Sequence, residues 1–198
     1  MEIHLNYRKL NLEQINELLD KLGGMESVKG ILAGELEVVL KTIAKTPVVP
    51  TVFHLTVDYS KSIEQMIAAG HYDWVNEEII SERFPNSSNG IVECEARYFY
   101  LGHAASSGNA IKVIEDHDLN NPWMPANIEH ILSLGTNFPN EQRLFPIVAL
   151  GSIAVIRGDR DVPYLYLIGN NRRLDLRWWE DGWSSSCRFL AVRDVSKS

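Results

Sequence analysis

The chain has 198 residues and a net charge of −7, with 19 Lys and Arg against 26 Asp and Glu and a 45% hydrophobic share. That acidic balance argues against general affinity for nucleic acid, and the longest apolar runs, such as 147–156, reach about half the ~20 residues of a membrane-spanning helix. The length suits one domain that buries roughly 70% of its unfolded surface and needs no metal or disulfide to hold together.

The start, Met1-Glu2-Ile3-His4-Leu5, has neither a basic region nor a long apolar run, so no secretory signal is read and a cytoplasmic protein is expected. Residues 3–7 alternate as a short strand or extended arm. Asn11 caps a helix carrying Leu12, Ile15, Leu18, Leu19 and Leu22, which Gly23-Gly24 stops. A second short helix sets Val28, Ile31 and Leu32 on one face and ends at Gly34. Residues 36–40 fit either a helix or a strand, and Pro47 and Pro50 make 46–50 an extended connector. Residues 1–46 are thus a candidate helical subdomain of a single α+β domain over 1–195.

Residues 51–58 read as a strand with Phe53, Leu55 and Val57 on one side and His54, Thr56 and Asp58 on the other. Ser60 caps a helix through Ile63, Met66 and Ile67 to Gly70, and Asp73 caps another with Trp74, Ile79 and Ile80. After the loop 85–90 comes a strand over 91–101. Ser106 or Ser107 starts a helix through Ile114, and Pro125 at the first helical position starts one through Leu134. From 147 onward an antiparallel meander is expected: 147–156, a turn at 158–161, 164–168, a turn at Asn170-Asn171, 172–179 and 187–193. In the strand 172–179, Leu174, Leu176 and Trp178 are expected inward and Arg173, Asp175, Arg177 and Trp179 outward.

Charge is uneven along this layout. Residues 1–99 hold 9 basic and 15 acidic side chains, whereas 143–193 hold 8 arginines, no lysine and 5 acids. Arginine without lysine suits planar, bidentate or stacked contacts; surface ion pairs within a sheet account for it more simply. Three of five tryptophans fall within 178–183, beside Arg173, Arg177 and Arg188. Trp and Arg are the side chains most enriched at binding hot spots, so this cluster is the leading candidate surface, with packing of the tryptophans as the alternative.

Other chemistry is weaker. Glu93, Glu95 and Arg97 share a strand face and, with Asp58, resemble the spaced carboxylates that nucleases use to hold metal ions, although a wet strand face explains them as well. Cys94 and Cys187 have no zinc-site spacing and are expected as reduced, buried thiols. The glycines form no phosphate-cradling motif, so no cofactor is called for. The two amino-terminal helices invite a helix-turn-helix reading, but the second exposes Glu26, Ser27, Lys29 and Glu35 to the groove.

The run Leu22-Gly23-Gly24-Met25-Glu26-Ser27-Val28, followed by Ile31-Leu32-Ala33-Gly34-Glu35-Leu36, resembles the opening of a family of small bacterial proteins of uncharacterised function, known mostly from candidate-phylum genomes. Tyr72-Asp73-Trp74-Val75-Asn76, Pro125-Ala126-Asn127-Ile128-Glu129 and the closing Arg188-Phe189-Leu190-Ala191-Val192-Arg193 are similar to later parts of that family. The resemblance implies a cytoplasmic bacterial protein and no particular reaction, and it adds Asp73, Trp74 and Asn76 to the residues of interest.

The sequence therefore predicts an α+β fold, with amino-terminal helices packed on a mostly antiparallel sheet that ends in a meander. It predicts a non-enzymatic interaction or accessory protein that binds another protein through Arg173, Arg177, Trp179, Trp183 and Arg188. The rival expectations are a metal-dependent hydrolase or nuclease using Asp58, Glu93 and Glu95, and a helix-turn-helix DNA-binding regulator.

Overall fold

The computed structural model describes residues 24–35, 52–86 and 88–195, together with Ile15 and Leu19. The chain falls into two compact units, Met1–Pro47 and Val48–Ser198. In the first, α1 (Gly24–Leu32) follows a left-handed Gly24 (φ 82°) and is closed by Gly34 (φ 75°), as the glycine spacing predicts. Of the expected helix from Leu12, Ile15 and Leu19 are described and both are helical; its other residues, the arm at 3–7 and the stretch 36–50 lie outside the described residues.

The second unit is an α+β fold built on one mostly antiparallel sheet. Its elements are β1 (Phe53–Asp58), α2 (Ile63–Gly70), β2 (Trp74–Val75), β3 (Ile91–Phe99), α3 (Ser107–Glu115), β4 (Met124–Pro125), α4 (Ile128–Asn137), a 3-10 turn (Glu141–Arg143), β5 (Ile147–Val148), β6 (Ala154–Ile156), β7 (Asp159–Ile168), β8 (Asn171–Trp178) and β9 (Arg188–Asp194). The strand order is β1-β3-β9-β5-β7-β8-β2, with β4 pairing β9 and β6 pairing β7. Two pairings are parallel, β5 with β9 and β2 with β8. The meander therefore covers β5, β7 and β8 only; β9 crosses back to lie centrally, between β3 and β5.

Alternation along the strands divides the core between two faces. On the first face Phe53, Leu55, Val57, Cys94, Ala96, Ile147, Leu165, Leu174, Leu190 and Val192 pack against Ile63 and Met66 of α2 and Ile128, Ile131 and Leu132 of α4. On the second, Phe99, Val148, Val162, Phe189 and Ala191 pack against Ala110 and Ile114 of α3, Trp123 and Trp183. Among the described residues α3 covers only the middle of the second face and leaves two flanks open there. One, on β1 and β3, carries His54, Thr56, Asp58, Glu93 and Glu95; the other, on β7, β8 and β2, carries Tyr164, Tyr166, Arg173, Asp175, Arg177 and Trp74.

Several expectations are corrected. Asp73 does not cap a helix: its carboxylate accepts the Arg172 N–H (2.6 Å) and its N–H donates to the Arg172 carbonyl (2.9 Å), so Trp74 and Val75 join β8 as a strand. Pro125 lies in β4, and α4 starts at the cap Asn127, whose side chain accepts the His130 N–H (3.0 Å). The expected strand 147–156 splits because its middle turns aside to support α4. There the Gly151 N–H donates to the Ala126 carbonyl (2.8 Å), and Ser152 Oγ accepts the Ile128 N–H (2.9 Å), which the first turn leaves without an intrahelical partner. Hairpin turns fall one or two residues earlier than read, at Arg157-Gly158 and Gly169-Asn170, where Arg157, Gly158 and Gly169 take positive φ.

Among the described residues no helix is long and apolar enough to cross a membrane. Cys94 and Cys187 are both free and buried, and burial pushes the Cys94 thiol up to about 11.

Candidate functional site

The open flank on β7, β8 and β2 gathers much of the predicted cluster. Register places Tyr164 opposite Asp175, Tyr166 opposite Arg173 and Val162 opposite Arg177, and sets Trp74 beside Arg173 on the next strand. Directly paired residues in an antiparallel ladder share a face, so these side chains stand together on the sheet. The Tyr164 and Tyr166 rings stack at 4.8 Å with 13° between planes, and the Arg173 guanidinium lies 4.9 Å from the Trp74 ring.

Asp175 is the polar anchor. Its Oδ1 accepts the Asn76 side-chain amide (2.8 Å) and the Leu176 N–H (2.8 Å), and its Oδ2 accepts the Tyr166 hydroxyl (3.2 Å). Three donors on one carboxylate fix its position, and with it Tyr166 and the turn that follows β2. Burial and the nearby Asp175 charge push the Tyr164 hydroxyl well above its ordinary value, so it stays a neutral donor.

Next to this row the segment after β8 folds back over the sheet. Trp183 exchanges main-chain hydrogen bonds with Ala105, and its indole N–H donates to Ser107 Oγ (2.9 Å), which donates to the Trp179 carbonyl (2.7 Å). Trp183 is only 2% exposed and meets Tyr164 and Phe189 edge-on. Between Trp183 and the stacked tyrosines lies a cavity of about 500 Å³, closed by Pro146, Ser184 and Cys187 and rimmed by Arg177. Arg177 sits 5.6 Å from the Trp183 ring and 3.4 Å from Asp181. The volume falls within the range of small-ligand or side-chain pockets, and three aromatic rings line it beside a few polar groups.

The predicted residues thus separate. Arg173, Arg177, Trp183, Trp74 and Asn76 converge on the flank. Trp179 turns partly into the second-face core, with Arg160 5.3 Å from its ring, while Trp178, expected inward, is 45% exposed. Just past the end of β8, the Ser107 hydroxyl of α3 donates to the Trp179 carbonyl and holds this one residue against the second-face core. Arg188 lies on the opposite face, against Tyr100 (3.6 Å) and Phe145 (4.8 Å), and Asp73 is occupied by the β8 main chain. Sequence reasoning missed Tyr164 and Tyr166, which read as part of a doubly buried strand; their spacing of two and their hydroxyls mark one wet face.

The other flank behaves differently. Asp58 accepts the Ser60 N–H (3.1 Å) and hydroxyl (2.5 Å) and lies 3.5 Å from Lys61 Nζ; the Ser60 bonds hold its carboxyl below the ordinary range. Glu95 is paired to Arg193 at 2.7 Å. The register sets Glu93 opposite Thr56 and Glu95 opposite His54, so Asp58, Glu93 and Glu95 share a face, yet among the described residues no three His, Cys, Asp or Glu form a metal-binding group. No protein-family model matches the chain, and no curated protein or solved structure matches it.

Proposed function

We propose that the chain is a cytoplasmic, non-enzymatic interaction module of bacterial origin that grips a partner protein with the arginine–aromatic flank of its sheet. The observation that carries this reading is the convergence of Tyr164, Tyr166, Trp183 and Arg177 around one cavity, extended along the row by Arg173 and Trp74. Tyr, Trp and Arg are the residues enriched at the cores of protein interfaces, and a pocket of this size accepts a large side chain as an anchor. Asp175 with Arg173, and Asp181 with Arg177, balance the charge there, which favours a protein surface over a polyanion. Two reduced, buried thiols suit a reducing compartment. The similarity to small bacterial proteins stated above is part of the same reading.

Capture from a bacterial lysate with the tagged chain, followed by titration of the recovered partner, tests it. Tyr166→Ala with Arg177→Ala should weaken that partner by about thirtyfold or more, the scale of a hot-spot pair, while Trp178→Ala leaves it within about twofold. A partner held equally well by the double variant, with its circular-dichroism spectrum intact, contradicts the assignment.

A further inference from the structure

The outer edge of β1 has a different chemistry. β1 is first in the strand order, and no described strand pairs with its far side. The Tyr59 N–H donates to the Gly90 carbonyl (2.8 Å), which makes that couple a hydrogen-bonded pair; by alternation Val57 with Val92, Leu55 with Cys94 and Phe53 with Ala96 are hydrogen-bonded too. The main-chain N–H and C=O groups of His54 and Thr56 therefore point away from β3. They face a groove of about 430 Å³ whose far wall comes from Met66 and Ala69 of α2 and from Thr136 and Phe138 at the end of α4.

We propose that this groove is a peptide-docking site, in which an extended segment of a partner protein adds to β1 as a new edge strand. The occupant follows from the hydrogen-bonding row. Outward donor and acceptor groups recurring every second residue, roughly 6.6 Å apart, are complemented by the main chain of an extended polypeptide and not by a helix, a lipid or a nucleic acid. Among the described residues the edge is also little guarded. Sheet edges are usually blunted by proline, a bulge or a charge, but Phe53–Asp58 has no proline, pairs with β3 without a bulge, and carries one acidic side chain, Asp58, at its end. The two ionised groups at the rim, Asp58 and Lys61, pair at 3.5 Å, and the far wall sets Met66, Ala69 and Phe138 among the uncharged Ser133, Thr136 and Asn137. The matching segment therefore carries uncharged side chains, with apolar ones at the alternate positions that meet Met66, Ala69 and Phe138. This site is separate from the arginine–aromatic flank and stands whether or not that proposal holds.

The test uses the full chain and a displayed library of random decapeptides, with selected peptides resynthesised and titrated by fluorescence anisotropy. Thr56→Pro deletes an outward N–H without removing a hydrogen bond to β3, a substitution that edge strands tolerate. It should weaken the peptides roughly tenfold or more, as should N-methylation of alternate peptide nitrogens, whereas Thr56→Val should stay within about twofold. If Thr56→Pro fails to fold, the N-methylated peptides on the wild-type chain decide alone. Three results overturn the proposal: selection that yields no binding peptide, affinity indifferent to N-methylation, or peptides displaced by Tyr166→Ala but not by the β1 variant.

Discussion

At the scale of single residues the lysine-free region resolves into stacking. Six of the eight arginines in 143–193, namely Arg160, Arg172, Arg173, Arg177, Arg188 and Arg193, lie over aromatic rings at 3.6–5.6 Å. A guanidinium is planar and weakly hydrated, so it can cover a ring and still direct its N–H groups sideways; an ammonium cannot do both. Composition alone left stacking behind surface ion pairs as a reading, and three of these arginines, Arg160, Arg177 and Arg193, also pair with carboxylates. His130 offers a sharper test of a single group. Its Nδ1 accepts the Asn127 N–H (3.1 Å), so the ring proton is on Nε2, which faces the Tyr59 hydroxyl (3.3 Å). Burial pulls its pKa down to about 4, from about 6.5 in an unfolded chain. Between those values the unfolded chain binds the proton and the folded one does not, so stability is complete above about pH 6.5 and falls as the pH drops toward 4. The expected outcome is a difference in urea midpoint between wild type and His130→Gln that shrinks steadily from pH 7 to pH 4.5; a difference independent of pH contradicts a buried His130 that stays neutral in the folded chain.

At the scale of elements, one arginine ties three of them together. Arg172 in β8 is 6% exposed, and its guanidinium donates to the Gly70 carbonyl at the end of α2 (2.7 Å), the Gly135 carbonyl near the end of α4 (2.6 Å) and Gln142 Oε1 (3.1 Å). It thus places a cation at the carbonyl ends of two helices, where their dipoles favour positive charge. Tyr72 stacks on it, and a Cβ at Gly135 would run into the Tyr72 hydroxyl, which explains a glycine inside α4. Arg172→Met strands three buried acceptors and should cost about 2–4 kcal/mol in urea unfolding, with Arg172→Lys recovering only part. A loss below about 0.5 kcal/mol would mean that the helix ends are held by packing instead. The elements readable in the sequence were those set by local rules: Ser106 as a helix cap, Gly34 as a stop, and alternation in β1 and β3; the cap of α2 is Ser62 and not the expected Ser60, which bonds Asp58 instead. The misreadings share one cause, because distant partners override local preference. Asp73 is a good cap, but the β8 main chain is a better partner than a new helix turn; Gly151 leaves its strand because the start of α4 needs its neighbour Ser152.

At the scale of the molecule, the division of one sheet face by α3 explains why two unrelated functions could be read from the same sequence. The carboxylates and the arginine–aromatic cluster lie on the same side of the sheet, at opposite ends, with α3 between them. Strand order is not encoded in any local pattern, so the sequence could list both groups but not show that Glu95 is neutralised by Arg193 while Tyr164 and Tyr166 open beside Trp183. Nor could it show that β9 crosses to the centre, or that its register on β5 pairs Arg188 with the first-face Ile147 and so sets it on the opposite face from Arg177. Hydroxyl-radical footprinting of the chain alone and with its captured partner reports directly on which flank is covered. The flank described here predicts that Trp74, Tyr164 and Tyr166 become protected while the exposed Trp178 and Tyr100 react as before. Protection of Tyr100 and Trp178 with Tyr164 and Tyr166 unchanged would contradict it.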